Sequence, residues 1–174
     1  MNERYPIGKF EFSGEDDRAK SQYLQAIREA PRLLREAVAE LNHEQLNTPY
    51  REEGWTVRQV VHHMVDSHMN SYIRFRWALT EDKPVIKAYD EAVWAALPDA
   101  KSAPIELSLD LLEALHARWL VLLENLSPED LARVFVHPET GREIPLIRNL
   151  AIYAWHGKHH VAHITELRKR KGWT

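Results

Sequence analysis

Four stretches of the chain carry apolar residues at the three-and-four spacing of a helix with one face in a core. In the first, Tyr23, Leu24, Ile27, Leu33, Leu34, Ala37, Val38 and Leu41 recur at that spacing. Ser13 followed by Asp16 predicts its start, with a hydroxyl cap and an acidic first turn. Pro31 predicts a kink or a restart, because it has no N–H to give and its ring crowds the preceding turn. The second stretch opens on Thr56-Val57-Arg58-Gln59, a capping box in which the Thr hydroxyl and the Gln side chain each satisfy a free backbone N–H. Its stripe is Val57, Val60, Val61, Met64, His68, Phe75 and Leu79, and the segment from Thr80 to Pro84 ends it. The third runs from about Ser108 to Leu126, with Leu111, Leu112, Leu115, Trp119, Leu122 and Leu123 facing inward. The fourth starts at Pro145 and carries Leu146, Leu150, Tyr153, Val161, Ile164 and Leu167.

The segments between these stretches are punctuated by turn formers. Tyr5-Pro6-Ile7-Gly8 reads as extended or turn-like, and Leu46 to Trp55 as a loop holding Pro49 and Gly54. Pro84, Pro98 and Pro104 break the stretch after the second helix, which leaves room for one short helix around Asp90 to Leu97. Ser127-Pro128-Glu129-Asp130 predicts another short helix, with Ser at the cap and Pro in the first position. Phe135 to Ile144, with Gly141, predicts a turn or hairpin. Together these predict an all-α fold. It is a four-helix bundle of antiparallel type, one domain over residues 1–174, with a long crossover between helices two and three.

Composition narrows the function more than the fold. Lys and Arg number 23 against 26 Asp and Glu, a net charge of -3, which gives no footprint for nucleic acid or an anionic membrane. No apolar run approaches the roughly 18 residues of a spanning helix, and no secretory signal opens the chain, so a cytoplasmic location is expected. The absence of cysteine removes disulfides, thiolate metal sites and a cysteine nucleophile together. Phosphate loops, nucleophile elbows and EF-hand patterns are absent too, and His43-Glu44 lacks the second His of a zincin. Arg168-Lys169-Arg170-Lys171 reads as cations complementing a helix C-terminus rather than as a nucleic-acid patch.

What remains is histidine. The chain has ten, and His62, His63 and His68 crowd the second stretch while His156, His159, His160 and His163 crowd the fourth. Neutral imidazole is the commonest protein ligand for a catalytic metal, and two His at i, i+4 share a helix face. A third from a neighbouring helix would complete a site with one coordination position open. At about 100° per residue, His160 lies roughly 60° and His156 roughly 100° from the centre of the apolar stripe on the last helix. His159 falls near the opposite side, so the spacing favours His156 with His160, each able to be partly buried and still face a cleft. On the second helix, His68 sits in the stripe, and His62 and His63 flank the polar side about equally. His63 shares its side with Asp66, Asn70 and Arg74, and Asp66 could orient a ligand ring. A lone His on an amphipathic helix is more often an ordinary hydrogen-bonded side chain, and His43, His116 and His137 are read that way. Asp66, His159 and His163 are the candidates for a general base.

Long stretches of the chain resemble the YfiT family of the DinB-like superfamily. They are Tyr5-Pro6-Ile7-Gly8, Thr48-Pro49-Tyr50-Arg51 and the run from Gly54 through His63. Asp66-Ser67-His68-Met69-Asn70 follows, and the set closes with Trp155-His156, His159-His160 and Ala162-His163-Ile164. The resemblance implies an up-down-down-up bundle, a cytoplasmic homodimer, and one zinc or nickel ion per subunit held by His63, His156 and His160. It also implies an enzyme acting on a small molecule. One form is a metal-dependent hydrolase, and another is a bacillithiol S-transferase in which the same ion activates a low-molecular-weight thiol. A non-catalytic, metal-binding stress bundle is the third expectation.

Overall fold

The computed structural model describes residues 2–173, and its architecture is a four-helix bundle with short helices and one hairpin filling the connections. Helix α1, Asp17–Val38, is capped by Asp16, whose carboxylate accepts from the Ala19 N–H at 2.7 Å. Ser13, the expected cap, lies too far upstream, and its hydroxyl bonds the Tyr23 hydroxyl at 2.8 Å instead. Pro31 neither ends nor restarts α1, which continues through it for two further turns. A single turn, α2 (His43–Leu46), follows, held by a reciprocal Asn42–Gln45 cap, in a stretch between the first helix and the expected Leu46 to Trp55 loop for which the sequence reading names no element.

Helix α3, Val57–Thr80, begins at the expected capping box: Gln59 N–H donates to the Thr56 hydroxyl at 3.2 Å, and Thr56 N–H to the Gln59 side chain at 2.9 Å. The crossover then carries α4 (Glu91–Ala95) and α5 (Pro98–Ser102). Helix α6, Ile105–Glu124, starts a turn earlier than its polar spacing suggests, because buried Ile105 and Leu109 extend the inward stripe back to Pro104. Leu111, expected inside, is 46% exposed beside Leu107. Helix α7, Pro128–Ala132, leads into strand β1 (Val134–Val136), which pairs antiparallel with β2 (Glu143–Pro145), Phe135 opposite Ile144. Helix α8, Leu146–Lys171, follows Pro145 and closes on Gly172, whose positive φ of 64° lets Trp173 N–H return to the Arg168 carbonyl.

The pairings fix helix direction. Ser67 meets Tyr153 and Ser71 meets Asn149, so α3 and α8 run antiparallel. His62 meets Ser108 and His68 meets His116, so α3 and α6 run parallel. Arg35 pairs with Asp110 and Arg28 with Glu124, which makes α1 antiparallel to α6. Gly157 rests on Ala30 and Arg168 on Ala37, so α1 and α8 are parallel. The order is up, down, down, up, and the long crossover is what permits two successive parallel helices.

Two apolar clusters fill the bundle. One centres on Phe75, Trp119, Phe135 and Leu150, the other on Leu34, Val61, Met64, Leu112 and Ile164. Between them, at the level of Pro31, lies a polar layer of Ser67, His68, Ser71, His116 and Asn149, all buried. The close approach of α1 to α8 at this level depends on Gly157, where a Cβ would lie 3.2 Å from that of Ala30.

Candidate metal centre

The second turn of α3 is enclosed on nearly every side: Val60, Val61, His62, His63, Met64 and Val65 are all buried. That is why periodicity could not choose between the adjacent histidines. Their hydrogen bonds do. His62 points to the crossover and α6, its Nδ1 2.7 Å from the Ser108 hydroxyl and its Nε2 3.3 Å from the Ala103 carbonyl. Both its nitrogens are thereby used. His63 points to α8, packed against Trp55 with ring centroids 4.6 Å apart, and its Nε2 lies 3.3 Å from Nε2 of His156. His160, one turn further along α8, completes the group, its ring centroid 4.8 Å from that of His63 and 4.4 Å from that of His156. One ligand atom from each of His63, His156 and His160 lies within 4.8 Å of the other two, and among the described residues these three form the group able to hold a metal ion.

The donor set suits a divalent cation. Burial lowers His63 to about 4 and puts His156 and His160 well below the ordinary imidazole value, with the neighbouring rings adding to the effect. All three rings are therefore neutral near pH 7, as a metal ligand must be. The 3.3 Å between two facing nitrogens is close to the ~3.4 Å expected for two imidazoles bound tetrahedrally at ~2.1 Å.

Other residues fall differently from their sequence reading. Asp66 donates to and accepts from no ligand ring, and burial together with Asp99 raises it to about 6. Asp66, expected to orient a ligand ring from the side it shares with His63, does not do so; the group behind His156 is His68, whose Nε2 lies 3.2 Å from His156 Nδ1. His116, read as ordinary, is buried with Nε2 2.8 Å from His68 Nδ1 and Nδ1 2.7 Å from the Ile27 carbonyl. His159 and His163 are buried rather than polar-facing, because loop and N-terminal residues cover that side of α8. Tyr50 stacks on His163 at 3.9 Å, and Tyr5 lies 5.9 Å from His159. A signal for the covering loops existed in the aromatic residues Tyr5, Tyr50 and Trp55, each beside Pro or Gly. None existed for His116, whose partners are tertiary.

A cleft of about 350 Å³ opens on the three rings, walled by Tyr5, Tyr50, Trp55 and Trp155, with Arg4, Arg51 and Glu91 around it. Glu91, at the start of α4, is a carboxylate that sequence reading passed over. Partial burial raises its pKa, opposed by Arg74.

The chain matches the DinB superfamily over residues 26–164. The chain belongs to the DinB superfamily. Within this superfamily it is similar to an Oceanobacillus iheyensis protein named "Putative metal-dependent hydrolase", 58% identical over 99% of this chain and 100% of that one. A Bacillus licheniformis protein of the same name is 52% identical over 98% of this chain and 97% of that one. The solved structure of YfiT from Bacillus subtilis, described as an unusual four-helix bundle topology, superposes with a TM-score of 0.97 at 48% identity over 100% of both chains. A mycothiol-dependent maleylpyruvate isomerase shares the fold at a TM-score of 0.66 and 16% identity, covering 83% of this chain and 60% of that one. Among the described residues no helix is long and apolar enough to cross a membrane.

Proposed function

We propose that His63, His156 and His160 hold one zinc or nickel ion and that the protein is a metal-dependent hydrolase acting on a small molecule. The observation carrying this reading is the convergence of three neutral imidazoles, two buried and His156 half-buried, their ligand atoms within 4.8 Å, on a cleft of about 350 Å³. The names of close relatives support it. A cation on three neutral ligands keeps its full charge, so the ion would supply Lewis acidity and lower the pKa of a bound water from ~15.7 toward ~7.

The protein's own groups do the rest. Trp55, Tyr5, Tyr50 and Trp155 wall the cleft and offer it aromatic surface for a substrate to pack against. Glu91 is placed on the same cleft with a carboxylate shifted toward neutrality, the direction that improves a general base. Arg4 and Arg51 can orient an anionic group of the substrate. A homodimer belongs to the same proposal, supported by the apolar residues Leu107, Leu111 and Val121 that α6 leaves exposed. Sedimentation tests it.

The same donor set would also activate a thiol, so the assay offers both chemistries. Zinc- or nickel-loaded protein is given a panel of esters and amides, and separately a low-molecular-weight thiol with a reporter electrophile. Hydrolysis without thiol, reduced about a hundredfold or more by Glu91→Gln, is the expected result, since a general base typically contributes about 10²–10⁴. Conjugation that requires thiol, with no hydrolysis, would replace the hydrolase by an S-transferase. Tight metal binding with neither reaction would make the bundle a non-catalytic binder.

A further inference from the structure

Behind each of the two α8 rings in the cluster stand further rings, His68 and His116 behind His156 and His163 behind His160, and each chain ends on a backbone carbonyl. A carbonyl can only accept, so it sets the direction of every hydrogen bond in a chain of neutral imidazoles, each of which carries one N–H and one lone pair. Behind His156, the Ile27 carbonyl lies 2.7 Å from His116 Nδ1, which must donate to it. His116 Nε2 is then an acceptor, and His68 Nδ1, 2.8 Å away, donates. His68 Nε2 accepts in turn from His156 Nδ1 at 3.2 Å. This leaves the lone pair of His156 on Nε2, the atom that faces His63. Behind His160, the Arg4 carbonyl lies 3.3 Å from His163 Nε2, and His163 Nδ1 lies 3.3 Å from His160 Nδ1. The same reasoning puts the proton of His160 on Nδ1 and its lone pair on Nε2.

The anchor of the longer chain is itself built by the sequence. In an uninterrupted helix the Ile27 carbonyl would accept from the N–H of residue 31. Residue 31 is proline and has no N–H, while α1 continues through it. The orphaned carbonyl is free to take His116. A helix-breaking residue tolerated in mid-helix thereby acquires a purpose.

We infer that His116 and His68 on one side, and His163 on the other, are positioning residues that fix the tautomer of His156 and His160, so that both rings present Nε2 to the ion. The inference rests on the metal reading above, but its first test needs no metal. In metal-free protein labelled with ¹⁵N-histidine, long-range correlation spectra should show both His156 and His160 protonated on Nδ1. Protonation of either ring on Nε2 overturns the inference.

The second test compares His68→Leu with His68→Gln. Gln retains one acceptor for His156 and one donor for His116, whereas Leu keeps the volume and neither function. Zinc affinity, measured by chelator competition, should fall about 10–100-fold in His68→Leu and stay within about threefold in His68→Gln, the span seen when partners of metal-bound histidines are removed. Equal losses in the two variants, or equal retention, overturn the inference. Failure of the unsubstituted protein to bind zinc would overturn the metal reading, while the tautomers, read without metal, still decide the relay.

Discussion

His62 and His63 are neighbours on one helix turn, both buried, and assigned opposite roles, so replacing each by Ala separates architecture from metal binding. His62 Nε2 donates to the Ala103 carbonyl, so its Nδ1 accepts from the Ser108 hydroxyl. The carbonyl keeps Arg58, whose Nη1 donates to it at 2.7 Å, but Ser108 loses its partner. Ser108 is half-buried, so stranding its hydroxyl costs about 1 kcal/mol, the low end of the range for a buried polar group. At about 2–4 °C per kcal/mol for a domain of this size, Tm should fall by a few degrees. His63 makes no hydrogen bond to anything but the facing His156, so its loss should leave the architecture less affected. Metal changes the comparison. An ion bound only by the folded state at a thousand times its Kd adds about 4 kcal/mol. That is a rise in Tm of roughly 8–16 °C. Thermal unfolding with and without zinc should show this rise in the unsubstituted protein and in His62→Ala, and lose it in His63→Ala. A full zinc-induced rise in His63→Ala, or its loss in His62→Ala, would refute the assignment.

Further outcomes follow from the same structure. Thr56→Ala removes the reciprocal cap of α3 and should cost about 1 kcal/mol, seen as a fall in Tm of about 2–4 °C with zinc stoichiometry unchanged. Asp66 is raised by burial and by Asp99 from 3.8 to about 6, so the folded chain holds this proton more tightly than the unfolded one. Stability on this account is lost as pH rises from about 4 through about 6, and Asp66→Asn should match the parent near pH 4 yet exceed it near pH 7. The gain should be on the order of 1 kcal/mol after solvent screening of a half-exposed carboxyl. Chemical denaturation at the two pH values measures it, and a gain that is larger at the lower pH would contradict the sign.

Much of the bundle was legible because its signals are local. The Thr56–Gln59 box, the Ser127-Pro128 start of α7 and the hairpin turn at Gly141 are each fixed by a few adjacent residues, and all appear where the spacing puts them. Boundaries set by burial were less legible: α6 begins at Ile105 because that side chain is covered, which no cap announces. Pro31 illustrates the limit from the other direction. Its local effect, the loss of one backbone hydrogen bond, was predicted, but its consequence depended on a histidine from a helix far along the chain. Spacing on α8 singled out His156 and His160, and the family resemblance alone named His63 over His62. Exposure misled at His159 and His163, where Tyr5 and Tyr50 cover a helix face that reads as polar. The relay through His68 and His116 is wholly tertiary, and Asp66, the carboxylate that spacing offered for orienting a ligand ring, makes no hydrogen bond to His63, His156 or His160.

The most direct measurement is anomalous diffraction from crystals of the zinc-loaded protein. One ion per chain, bonded to Nε2 of His63, His156 and His160 at about 2.0–2.1 Å with a remaining position open, is the predicted result. An ion seated instead on His159 and His163, or no ordered ion near these rings, would contradict it.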